Sequence, residues 1–156
     1  VWREGEGLRE LETPAASSSM AMAINNLGVA VGGSGRAFRW TEEAGTQELD
    51  TLGGDTSCAN DVNDAGYVVG ASRTGETAPG GAPVSRAFLC APDGHLTDLG
   101  TLGGPTSYAA GVSPVVNGLL RVVGHSHDAS GATRAVMWTV RVAAPDGRPL
   151  RSRNAR

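Results

Sequence analysis

Apolar residues in this chain come in short runs separated by polar or glycine-rich turns, and the same order of runs returns three times. Residues 49–70 read LDTLGGDTSCANDVNDAGYVVG and residues 99–124 read LGTLGGPTSYAAGVSPVVNGLLRVVG. A degenerate earlier copy, residues 8–32, reads LRELETPAASSSMAMAINNLGVAVG. Self-similarity of this kind is the sequence sign of a repeat architecture. In each copy a first strand leads through a turn ending in glycine (Gly28, Gly66 or Gly118) to the runs VAVG, YVVG or RVVG. Two runs joined in this way predict a hairpin with glycine in the left-handed region. A third strand follows, RAFRW from Arg36, RAFLC from Arg86 and RAVMW from Arg134. A fourth is TQELDTL from Thr46 and HLTDLGTL from His95. The pairs Gly53-Gly54 and Gly103-Gly104 open the next copies.

The spacings define the unit. Trp2 to Trp40, Ser19 to Ser57 and Gly28 to Gly66 are each 38 apart, whereas Leu52 to Leu102, Ala59 to Ala109 and Arg36 to Arg86 are each 50 apart. The difference of 12 falls on RTGETAPGGAPV, residues 73–84, which reads as an inserted surface loop. A bare unit of four strands and about 40 residues has the dimensions of a propeller blade. The predicted fold is therefore all-β, a β-propeller-like array of about three four-stranded antiparallel blades, as in a fragment of a larger propeller. Residues 1–12 read as the end of a preceding repeat, 13–52, 53–102 and 103–142 as repeats 1 to 3, and 143–156 as a disordered tail. The second-strand runs are apolar at consecutive positions, which predicts burial on both faces. The fourth strand carries Glu48, Asp50, Thr97 and Asp98 among leucines, as an outer edge strand does. Three blades do not close a ring, and neither end carries a polar cap, so the isolated chain is expected to self-associate through its open blade faces.

Composition narrows the chemistry. Glycine is abundant (23 of 156 residues) and aromatics are 4%, a balance that suits short strands and turns better than helices. The net charge of −3 gives no reason to expect nucleic acid. All 13 basic residues are arginine, which excludes lysine-centred covalent chemistry. No apolar run is long enough for a helical membrane span.

The combination of DLGTLGG, S-x-A, an apolar-Asn pair, G-x-V-V-G-x-S and x-A-F-x-W resembles the HAF family of probable extracellular repeats over roughly residues 8–138. Arg36, Arg86 and Arg134 stand where that family's name-giving histidine would be. Val136 replaces the phenylalanine and Cys90 the tryptophan, and Asn25 and Asn63 give way to Ser113. The resemblance implies a bacterial, exported, β-rich repeat protein, extracellular or at the cell surface. It carries no activity and no catalytic residues.

Several groups are candidates for chemistry. The repeat-signature positions are Arg36, Arg86, Arg134, Asn25, Asn63, Gly66, Gly70 and Gly124. The arginines either present guanidiniums to acidic groups or sugars, or pair with a carboxylate or carbonyl of the neighbouring repeat; repetition favours the pairing. His125, His127 and Asp128, in GHSHDASG, have the alternation of metal ligands on a strand, but the same string aligns with turns in the other copies. NDVNDAG, residues 60–66, is rich in oxygen ligands suited to calcium, yet it also fits an Asx-stabilised hairpin turn. Cys58 and Cys90 fall on the first and third strands of one unit, about 9.6 Å apart, too far for a disulfide, and are expected as free thiols. No G-x-S-x-G elbow or phosphate loop is present.

The reading that follows is a non-enzymatic, exported β-repeat module for binding or surface assembly, with no cofactor and no resident metal, and with a protein or carbohydrate partner. Its candidate binding loops are residues 73–84, with Arg73 and Glu76, and residues 124–132, with His125 and His127. The alternative is a fragment of a propeller hydrolase or lyase whose site needs further blades.

Overall fold

The structure, a computed structural model, describes residues 7–13 and 18–142 and is all-β. Strands β1 (Met20–Ile24), β2 (Ala30–Ser34), β3 (Arg36–Thr41) and β4 (Gly45–Glu48) form an antiparallel sheet in chain order. That order returns in β5 (Ser57–Val62), β6 (Val68–Thr77), β7 (Pro83–Cys90) and β8 (Leu96–Asp98). Its first three members return in β9 (Gly103–Val112), β10 (Leu119–Asp128) and β11 (Thr133–Arg141). These three groups are units 1, 2 and 3. The expected leading strand around Trp2 and the tail from residue 143 lie outside the described residues, and residues 7–13 form no strand.

Register is the same in every unit. Phe38 faces Gly32, Phe88 faces Gly70 and Val136 faces Gly124. These glycines are required by a close approach: a Cβ on Gly32, Gly70 or Gly124 would lie 1.9, 2.0 or 1.9 Å from the carbonyl oxygen of Met20, Cys58 or Tyr108. In units 1 and 2 the first strand carries a bulge opposite that position, between Ala21 and Ala23 and between Ala59 and Asp61. Bulges bend a strand and increase its twist, which lets each hairpin wrap onto its neighbour. The turns follow the sequence, with Gly28 at φ 77° and Gly66 at φ 82°. In unit 3, Asn117 (φ 53°) and Gly118 (φ 70°) make a tight Asn-Gly turn closed by reciprocal hydrogen bonds between Val116 and Leu119.

The core lies between units. Val31, Ala37 and Leu49 of unit 1 pack on Ala59, Val62, Val68, Phe88 and Cys90 of unit 2. Val69, Ala87 and Leu89, on the other face of unit 2, pack on Ala109, Leu120 and Val122 of unit 3. Consecutive residues Val68 and Val69 thus serve opposite neighbours, as the unbroken apolar runs predicted. Leu11 covers Phe38 and Trp40 on the outer side of unit 1.

Three expectations need correction. The units are not three separate four-stranded sheets: units 2 and 3 share one curled, mixed sheet of order β11-β10-β9-β7-β6-β5, with β8 beside β7. β8 covers only Phe88, Leu89 and Cys90, so the start of β7 has an open edge, and Ser85 takes a parallel bridge to Thr106 of β9 there. The described part of unit 3 has no fourth strand. Residues 73–84 and 124–132 are not loops. The first is an extension of the β6–β7 hairpin, with Thr77 paired to Pro83 and a turn only over residues 78–82. The second is the end of the β10–β11 hairpin, with His127 paired to Thr133. Burial on both faces, finally, stops at unit 3, where Val123 is 49% exposed and Met137 60%.

Candidate functional site

Most polar side chains that recur in the repeat hold one unit to the next or clasp the linkers between them. The Ala37 N–H of β3 donates to Ser57 Oγ at 2.9 Å, and the Ala87 N–H of β7 donates to Ser107 Oγ at 2.9 Å. Both serines are buried, at 8% and 3% exposure. Asn25 Nδ2 donates to the Asn63 carbonyl (2.9 Å), and Asn63 Nδ2 donates to the Ser113 carbonyl (2.8 Å). The amide oxygens of the same asparagines accept from their own turns, at Leu27 and Val29 and at Tyr67. Ser113 keeps the turn role, accepting from the Arg121 N–H, but has no amide with which to reach onward.

The Thr-Leu-Gly-Gly linkers are clasped in a common way. The Leu52 N–H donates to Ser72 Oγ and the Leu102 N–H to Ser126 Oγ, each at 2.9 Å. Gly54 and Gly104 then pass against β6 and β10 so closely that a Cβ would lie 2.5 Å from Arg73 Cβ or 2.6 Å from His127 Cβ. Ser34 is the matching serine of unit 1, and its Oγ is buried with no partner among the described residues. At the 38-residue spacing its donor position is Pro14, and proline has no N–H.

The signature arginines behave differently from expectation. Arg134 Nε binds Asp128 at 2.9 Å and Arg86 approaches Glu76 and Asp98 at 3.7 Å, all within their own units. Arg36 is exposed at the start of β3. The arginine that does reach a neighbour is Arg39, which donates to the carbonyls of Gly66 (3.0 Å) and Pro92 (3.3 Å) in unit 2. Its aligned positions hold Leu89 and Met137, so repetition could not have pointed to it, whereas the interface and clasp serines recur within S-x-A and G-x-S.

The metal-like strings are occupied by turn and strand bonds. Asp128 accepts from the Ser130 hydroxyl (2.6 Å), Arg134 Nε, and the N–H groups of Ala132 and Ser130. The Ser130 hydroxyl first, then Arg134, hold its carboxyl well below the usual carboxylate range. His127 Nδ1 shares a 2.9 Å hydrogen bond with Thr106 Oγ1, and His125 stacks on Tyr108 with ring centroids 5.2 Å apart. Asp61 and Asp64 turn to opposite neighbours, Asp61 to the Val112 N–H of unit 3 and Asp64 to Asn26 of unit 1. Among the described residues no three His, Cys, Asp or Glu side chains converge as a metal site would need. Cys58 and Cys90 are free thiols, and burial pushes both up in pKa.

What the repeat does not account for is the β6–β7 arm. Between it and the linker runs a groove of about 490 Å³, with Gly53, Gly54 and Asp55 on one side and Arg73, Glu76 and Val84 on the other. Arg73 lies 3.3 Å from Asp55 across it, and Glu76 lies 3.7 Å from Arg86. Arg73 and Glu76 both line this groove, while His125 and His127 lie on β10 away from its lining. The chain matches no family model, and no curated protein or solved structure matches it.

Proposed function

We propose that this chain is a non-enzymatic β-repeat module, propeller-like in the way its units stack and exported as its resemblance to HAF repeats implies, and that it binds an oligosaccharide in the groove beside the β6–β7 arm. The observation that carries the reading is the arm itself. It is the one large departure from the repeat period, and it closes a concave surface over the linker. The groove sets Arg73 against Asp55 and holds Glu76, which faces Arg86 just outside its lining, with Pro83 and Val84 as an apolar wall. Paired opposite charges offer donors and acceptors in quantity but little net field, which suits a polar, uncharged chain with apolar ring faces.

The test is a glycan array probed with this chain and with the double variant Arg73→Ala/Glu76→Ala. Both side chains are solvent-exposed, so melting and sedimentation should be unchanged. Selective retention of one glycan class, weakened at least tenfold in the variant, supports the reading. Retention of no glycan, or binding indifferent to the variant, contradicts it.

A further inference from the structure

The same three positions recur on the downstream face of every unit. In unit 1 they are Val31, Ala37 and Arg39, and in unit 2 Val69, Ala87 and Leu89, all within the interfaces described above. In unit 3 they are Val123, Ala135 and Met137, and there the face is open: Val123 is 49% and Met137 60% exposed. By shared register the Ala135 N–H points to the outer edge of β11, which ends the sheet among the described residues.

The complementary half of that interface stands at the other end. The upstream face of unit 2 uses Ala59 (0% exposed), Val62 (5%) and Ser57 (8%). The matching residues of unit 1 are Ala21, Ile24 and Ser19; all three are exposed, Ile24 at 55%. Among the described residues, one end therefore offers an unmatched donor with a valine and a methionine, and the other an unmatched serine acceptor with an isoleucine. The turns agree: Asn26 and Asp64 clasp one another inside the chain, whereas the end turns carry exposed Leu27 (71%) and Val116 (54%).

We infer that the face of unit 3 bearing Val123 and Met137 docks a second copy of this chain through the Ser19 and Ile24 face of its unit 1, head to tail. The occupant follows from continuity, because the contact repeats the first-strand part of two interfaces that the chain already makes with itself. Phe38 and Trp40, the counterparts of Phe88 and Cys90, are already covered by Leu11, so the second copy meets only Ser19, Ala21 and Ile24. It is heterologous, so neither end pairs with its own kind. One rung is missing, since Ser113 lacks the amide of Asn25 and Asn63, and the contact between copies is weaker than those within a copy.

Sedimentation of the whole chain tests this. The wild type is expected to sediment above its 15.9 kDa monomer in a concentration-dependent way. Two variants each block one end, Val123→Glu/Met137→Glu and Ile24→Glu. Each alone is expected to be a folded monomer with an unchanged melting curve, and an equimolar mixture should regain a one-to-one pair. Ser113→Asn supplies the missing rung and is expected to tighten wild-type association at least threefold. A monomeric wild type, a blocked variant that still associates alone, or a mixture that stays monomeric overturns the inference. The groove variant Arg73→Ala/Glu76→Ala leaves sedimentation unchanged, so failure here and failure of the oligosaccharide reading are distinguishable.

Discussion

Units 2 and 3 run through the same three strands in the same register, yet they live in different surroundings. Leu89 of β7 is 4% exposed and Met137, its counterpart on β11, is 60% exposed. Val69 is fully buried and Val123 is half exposed. Side-chain chemistry is nearly conserved across each pair, so it does not set the burial. The neighbour does: among the described residues unit 2 is flanked on both sides, and unit 3 on one. In a repeat fold, stability is a sum of unit and interface terms, and a residue's worth depends on which interface it enters.

The sharpest way to break this comparison is to place one charge at both members of a pair. Leu89→Glu buries a carboxylate in the interface with unit 3 and should cost about 4 kcal/mol or more, enough to unfold much of the chain. Met137→Glu should change stability by no more than about 0.5 kcal/mol. Urea melts followed by tryptophan fluorescence would separate them, and equal losses would refute the asymmetry. Gly70→Ala comes next. Its Cβ would sit 2.0 Å from the Cys58 carbonyl oxygen, an overlap only backbone movement relieves, so a loss of about 3 kcal/mol is expected.

Smaller still is the serine rung. Ser107→Ala leaves the Ala87 N–H buried without its acceptor and should cost about 1–3 kcal/mol. Ser19→Ala, at the same repeat position but exposed, should cost almost nothing in dilute solution. The smallest effect compares two turns of the same backbone design, residues 78–82 and 128–132, closed by the same pair of main-chain bonds. Only the second has a carboxylate cap, Asp128, whose folded pKa lies below its unfolded value. A depressed carboxylate stabilises above its unfolded pKa and loses that contribution as the pH falls through the folded one. Acidification below about pH 4 should therefore begin to loosen the Ala132 amide in hydrogen exchange while leaving Ala82 unaffected. Asp128→Asn should abolish that pH dependence.

Much of the fold was legible because the repeat states it three times. Turns ending in Gly28, Gly66 and Gly118 marked the hairpins, and consecutive apolar residues marked the strands that are buried on both faces in units 1 and 2. The arm reads as loop from its prolines and glycines, whereas only the turn at residues 78–82 needs them; Pro83 is tolerated as the first residue of β7. The joined sheet was not legible, since it depends on β8 being three residues long and leaving Ser85 an open edge. The open face of unit 3 could not be read either, because Val123 and Met137 are the residue types a buried face would also have. Of the groove, the insertion pointed to Arg73 and Glu76, but Gly53 and Asp55 opposite them are more than fifteen residues away in the chain and meet them only through the linker clasp.

The central claim is that three equivalent positions differ only in having a neighbour or lacking one. Amide hydrogen exchange in dilute, monomeric solution addresses it at Ala37, Ala87 and Ala135. The first two donate to Ser57 and Ser107 and should exchange only on global unfolding, while Ala135 should exchange orders of magnitude faster. Equal protection at all three, or an unprotected Ala87 in the intact chain, would contradict it.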